Sequence, residues 1–141
     1  EVISHYFAAE ALDAAHHHLD VKQELVLSFA YAFRGIFDGI KNERNMMIHY
    51  SVVVLVVVFG VTLKLTVTEW GICLILCGMV IALEQVNTAI EAVVDLVTEE
   101  HKELARLAKD TAAGAVLVAA ITAAIVGGLI FFPKLAQLFG L

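Results

Sequence analysis

The stretch from Trp70 to Val97, WGICLILCGMVIALEQVNTAIEAVVDLV, is long and apolar enough to span a bilayer, yet it carries Glu84, Asn87, Glu91 and Asp95. At about 100° per residue, steps of three, four and four gather these four groups into a stripe of roughly 80° on one helix face. A carboxylate buried in hydrocarbon costs several kcal/mol, so three on one stripe are not scatter. Carboxylates that converge in this way bind cations. The stretch reads as the helix of an active site or an ion site.

The rest of the chain supplies a membrane setting for that helix. With 60% hydrophobic residues, a single proline and a mean hydropathy of +0.85, three apolar stretches account for most of the length. They run from about 46 to 65, from 70 to 97 and from 112 to 132. Helices and closed barrels are the only spanning forms, and barrel strands would alternate in polarity, so an all-α integral membrane fold with three spans is expected. The membrane domain covers 22–135, between an N-terminal extension (1–21) and a short tail (136–141). The extension is acidic and lacks an apolar core, so it does not read as a cleavable signal peptide. Lys22, Arg34, Lys41, Arg44, Lys102, Arg106 and Lys109 fall on one side of the spans, and only Lys64 and Lys134 on the other. That asymmetry places the N-terminus and the 99–111 connection in the cytoplasm, with the stripe in the cytoplasmic half of its helix.

Residues 22–41, KQELVLSFAYAFRGIFDGIK, read as an amphipathic helix on the inner membrane surface, with Leu25, Phe29, Phe33, Ile36 and Ile40 toward lipid. Gly35 and Gly39 either admit a neighbouring helix or ligand or merely loosen this helix. In the third span, Ala115, Ala119, Ala123 and Gly127 form a small-residue ladder beside Ala120, Ala124 and Gly128, a pattern that lets helices approach closely. Three spans are too thin a bundle to shield the stripe alone. A homo-oligomer is expected, with dimer and trimer both open.

Two cytoplasmic clusters flank the stripe: Lys41-Asn42-Glu43-Arg44-Asn45, ending at His49, and Glu99 to Asp110 with Lys102, Arg106 and Lys109. A cation-binding carboxylate set with basic groups nearby suits phosphoryl transfer, in which magnesium and basic side chains neutralise phosphate oxygens. Taken alone, the second cluster is equally a solvated loop with weak salt bridges. An oligomer conducting ions or protons through Glu84, Glu91 and Asp95 is the competing class. A relay would continue outward, but Gly71 to Leu83 carries only Cys73 and Cys77, so the stripe stops midway as a site opened from the cytoplasm does. The two cysteines read as packing, and Trp70 as an interfacial anchor. There is neither a P-loop nor a soluble-kinase glycine loop, and no basic face for nucleic acid. His16 to His18 point in different directions on a helix and read as part of a solvated extension.

The run EQVNTAIEAVVD (84–95), followed by Ala108, Lys109 and Asp110, resembles the signature of the prokaryotic diacylglycerol kinase family, small integral-membrane lipid kinases. YAFRGI (31–36) and Glu43-Arg44-Asn45 with His49 extend the resemblance, which covers about 28–135. NTAIE, ERN with His49, KDTAAGAV and FFPKL look like the Gram-positive branch, whose members phosphorylate undecaprenol rather than diacylglycerol. The resemblance implies a homotrimer in the bacterial cytoplasmic membrane, with active sites shared between subunits and ATP as phosphate donor. It implies Glu43 and Glu91 as magnesium ligands, Glu84 as the general base on the lipid hydroxyl, and Asn87 as the residue orienting that site. Arg34, Gly35, Asp95, Lys109 and Asp110 are implied to contact the nucleotide or its metal. One position departs from the pattern: Glu24 stands where members carry a basic residue, with Lys22 two residues earlier.

Overall fold

Four segments of this chain have the apolar content and backbone freedom to be helical, and the computed structural model, which describes residues 21–39, 44–98, 100 and 102–140, shows each of them as a helix. Helix α1 covers 21–39. Helices α2 (Arg44–Thr62), α3 (Val67–Val97) and α4 (Glu103–Leu138) are all long and apolar enough to cross a membrane. The described residues up to Asp38 form one unit and those from Gly39 onward another. In the first unit Leu25, Phe29, Phe33 and Ile36 are exposed. Ile40, Lys41, Asn42 and Glu43, residues 1–20 of the N-terminal extension with its histidines, Glu99 and His101 lie outside the described residues.

The α2–α3 hairpin is closed by backbone chemistry that hydropathy does not report. Apolar residues continue to Leu65, but α2 ends at Thr62 because Lys64 adopts a left-handed conformation (φ 52°). Leu65 N–H then donates to the Gly60 carbonyl at 3.0 Å, and Lys64 N–H to Val61 at 3.2 Å, a Schellman ending. Helix α3 starts three residues before Trp70. Thr66 caps it: its hydroxyl accepts from Glu69 N–H at 3.3 Å while the Glu69 carboxylate accepts from Thr66 N–H at 2.6 Å.

Helix α4 is longer than its span. It begins at Glu103, so most of the 99–111 segment expected as a loop is helix. The local reason is charge spacing, because Arg106 donates to Glu103 one turn before it and to Asp110 one turn after it. Helices α3 and α4 are antiparallel and make most of the interhelical contacts, and α2 packs more lightly on α3. Ion pairs join α3 to α4 near both ends, Asp95 Oδ1 with Lys109 Nζ at 2.6 Å and Glu69 Oε2 with Lys134 Nζ at 3.1 Å. Together they set one register, which puts Glu84 level with Ala119 and Asn87 level with Val116. The buried face of α3 is Cys73, Val80, Glu84 and Asn87, and that of α4 is Ala112, Val116 and Ala119. Of the small-residue ladder only Ala119 is buried within the chain, while Ala123 and Gly127 line a groove together with Cys73, Cys77 and Val80 of α3.

Trp70 does more than anchor an interface. Its ring lies over Gly60, where an added Cβ would come within 2.5 Å of Cη2. Alanine gains up to about 1 kcal/mol of helix propensity over glycine, but overpacking against a rigid ring costs about 1–3 kcal/mol. Gly60→Ala is therefore expected to destabilise the protein in a detergent unfolding titration. Adding Trp70→Leu should recover most of that loss, because the three nearest atoms to the added Cβ are all indole carbons.

Candidate active site

Burial grades the stripe from one end to the other. Glu84 is 3% exposed and Asn87 6%, Glu91 is half-buried, and Asp95 is exposed. Glu84 and Glu91 are two helical turns apart, about 10 Å along the axis. One helix thus carries carboxylates from a low-dielectric level to a wet one.

Asn87 connects the middle of the stripe. Its Nδ2 donates to Glu91 Oε1 at 3.1 Å, while its Oδ1 is buried without a partner. A buried acceptor left unpaired costs about 1–3 kcal/mol, so this amide oxygen is poised for a donor or a hard cation. The Thr88 hydroxyl donates to the Glu84 carbonyl at 3.0 Å and is not free for the carboxylates.

At the wet end, Asp95, Lys102, Arg106, Lys109 and Asp110 line a cleft of about 450 Å³ between the end of α3 and the start of α4. That volume falls within the range of small-molecule sites. Lys109 reaches Asp95 across the helix pair, and Arg106 Nη1 holds Asp110 Oδ2 at 2.6 Å. The structure therefore brings together Asp95, Lys109 and Asp110, and adds Arg106, which belonged to the flanking cluster in the sequence. Arg34 and Gly35 lie on α1, exposed, in the separate N-terminal unit. Glu43 is outside the described residues.

The structure also reveals a relation that the sequence leaves without a role. His49 Nε2 of α2 lies 4.0 Å from Glu84 Oε2. The same histidine lines the wall of an apolar groove of about 410 Å³ between α2, α3 and α4. Helical spacing alone cannot pair residues on different helices, although a lone histidine just inside an apolar span was the available signal.

A bundle of spanning helices with a graded carboxylate stripe and a charged cleft at one end defines a membrane protein built for chemistry between lipid and water. The prokaryotic diacylglycerol kinase family model matches residues 30–131. Undecaprenol kinase of Bacillus subtilis (strain 168) is 46% identical over 108 residues, covering 77% of this chain and 88% of that protein. A diacylglycerol kinase of Synechocystis sp. is 42% identical over 119 residues (84% and 68%), and that of Escherichia coli (strain K12) 32% over 101 (72% and 83%). The chain belongs to the prokaryotic diacylglycerol kinase family and is a membrane lipid kinase.

Leucine at position 87 would remove the unpaired acceptor together with the bond to Glu91. Asn87→Leu is expected to stay folded, with stability within about 1 kcal/mol of the parent. Lipid phosphorylation should fall about ten- to hundred-fold, as when a carboxylate loses its orienting partner. A loss of about 3 kcal/mol with full activity in the folded fraction would mean that the amide serves packing instead.

Proposed function

We propose that this chain transfers the γ-phosphoryl group of ATP to the terminal hydroxyl of undecaprenol, giving undecaprenyl phosphate and ADP. The graded stripe on α3 carries the reading, since a buried carboxylate suits the lipid alcohol and a charged cleft the nucleotide. Glu84 takes the hydroxyl proton as the oxygen attacks the γ-phosphorus and the bond to the ADP oxygen breaks. Asp95, Lys109 and Asp110 contact the nucleotide; for Arg34 and Gly35 a nucleotide contact is proposed on the family resemblance alone. Undecaprenol is favoured by the 46% identity to an undecaprenol kinase; the diacylglycerol kinase at 42% makes diacylglycerol the acceptor to test beside it.

Magnesium fits the donors present. Among the described residues no three His, Cys, Asp or Glu side chains meet in a metal cage. Magnesium beside phosphates needs only one or two carboxylates, and Glu91 with the unpaired Asn87 oxygen next to it offers hard oxygen ligands. Glu91 and Glu43 would hold the ion, which supplies charge neutralisation of the phosphate oxygens.

The basic residues orient the cleft toward the cytoplasm of a bacterial cell membrane. Helix α1 lies along the inner surface, consistent with its exposed aromatic residues. A homotrimer is the proposed assembly, since one chain leaves Glu91 half open and most apolar side chains of α2 to α4 exposed for neighbours and lipid.

Phosphate transfer from radiolabelled ATP in detergent–lipid micelles, with undecaprenol and diacylglycerol offered separately, tests the reading. Label is expected in undecaprenyl phosphate, and none after magnesium is chelated. Label confined to phosphatidic acid would overturn the acceptor. Glu84→Gln should lower turnover about 10²–10⁴-fold while nucleotide still binds. Glu91→Gln should also lose magnesium-dependent nucleotide binding, and near-normal turnover in both variants would sink the site assignment.

A further inference from the structure

Glu84 is buried with few groups able to hold its carboxylate. On α3, the Thr88 hydroxyl is committed to the Glu84 carbonyl and the Asn87 amide to Glu91. On α4, the buried residues that flank its level are Val116 and Ala119, which have no side-chain donor. On α2 there is His49, whose Nε2 faces Glu84 Oε2 at 4.0 Å and whose side chain is 19% exposed. Among the described residues this is the one Lys, Arg or His side chain within that distance. The gap is about 1 Å longer than a hydrogen bond. Catalytic hydrogen bonds are often long in the absence of substrate and tighten when it binds.

We infer that His49 is the positioning residue for Glu84: its Nε2–H holds Oε2, leaving Oε1 for the acceptor hydroxyl. Both the neutral Nε2–H tautomer and the imidazolium can make this bond, so the assignment needs no particular charge. The ring also stands between the carboxylate and the apolar groove, whose walls include Val52 and Val56 of α2, Val80 of α3 and Gly127 of α4. It can therefore fix the carboxylate without admitting water to the hydrocarbon side. The inference rests on Glu84 being the general base.

The test compares His49→Leu, His49→Gln and His49→Asn with Glu84→Gln, measuring kcat, KM for ATP and nucleotide binding. The glutamine amide nitrogen reaches the place of Nε2, whereas the asparagine nitrogen reaches only that of Nδ1. His49→Leu and His49→Asn are expected to lower kcat about ten- to hundred-fold with KM for ATP within about twofold, and His49→Gln to restore kcat to within about threefold of the parent. Equal impairment of the Gln and Asn variants, or unchanged kcat in His49→Leu while Glu84→Gln is inactive, overturns the role of His49 and leaves the base assignment standing. Full turnover in Glu84→Gln overturns the base assignment, and the inference with it. Should the leucine variant fail to fold, the Gln–Asn comparison decides alone, because both are polar and similar in bulk.

Discussion

A carboxylate held inside a membrane bundle must be stabilised by its neighbours or it will draw in water or a proton, and Glu84 sets that demand for the whole molecule. The small side chain of Ala119 at the same level lets α4 come close enough to cover it. On the other side α2 brings His49. Two apolar helices and one imidazole thus close a seat that α3 could not form alone. This accounts for a buried set so short that it includes both Glu84 and Asn87, while most valines and leucines face outward. Lipid can solvate an outward leucine; it cannot solvate a carboxylate.

That seat depends on register, and register is held at the ends. The Glu69–Lys134 pair is roughly a quarter exposed on each side, whereas Asp95 and Lys109 are more open. Exposed pairs contribute about 0–1 kcal/mol, so neither pair explains the stability of the bundle. Their value is geometric. A slip of one residue along α4 would turn Ala119 away from Glu84 by about 100°. Glu69 serves twice, capping α3 through Thr66 and binding Lys134, so the hairpin turn and the far end of α4 are fixed by one carboxylate.

The helical membrane architecture was legible because hydropathy and period measure burial and face directly, and the stripe was legible because charge in an apolar helix has so few explanations. The edges were not. Apolarity runs through Leu65, but the helix stops where Lys64 turns left-handed, and backbone torsion leaves no mark on hydropathy. Thr66-x-x-Glu69 is a capping-box pattern that did mark the true start of α3, in a stretch that reads as mere connection. The helical Glu103–Asp110 turns were missed because charge spacing looks the same in a loop until the helix forms. The His49–Glu84 approach lies beyond sequence reasoning of this kind, since it depends on how two helices rotate against each other.

Lipid phosphorylation joins a reactant that stays in hydrocarbon to one that stays in water, and a globular pocket can serve only one of these media well. A single straight helix can serve both. At 31 residues, α3 is about 46 Å long, against a hydrocarbon core of about 30 Å, so part of it must stand outside the core. Its carboxylates therefore sample the whole dielectric gradient without a hinge or a moving domain: Glu84 where an alcohol dissolves, Asp95 where a triphosphate does. On the proposed reading, Glu91 falls between them, about 6 Å from the level of Asp95 and 10 Å from that of Glu84. That is where a phosphoryl group has to cross from one medium to the other, and Asn87 holds Glu91 there through the one side-chain hydrogen bond within the stripe.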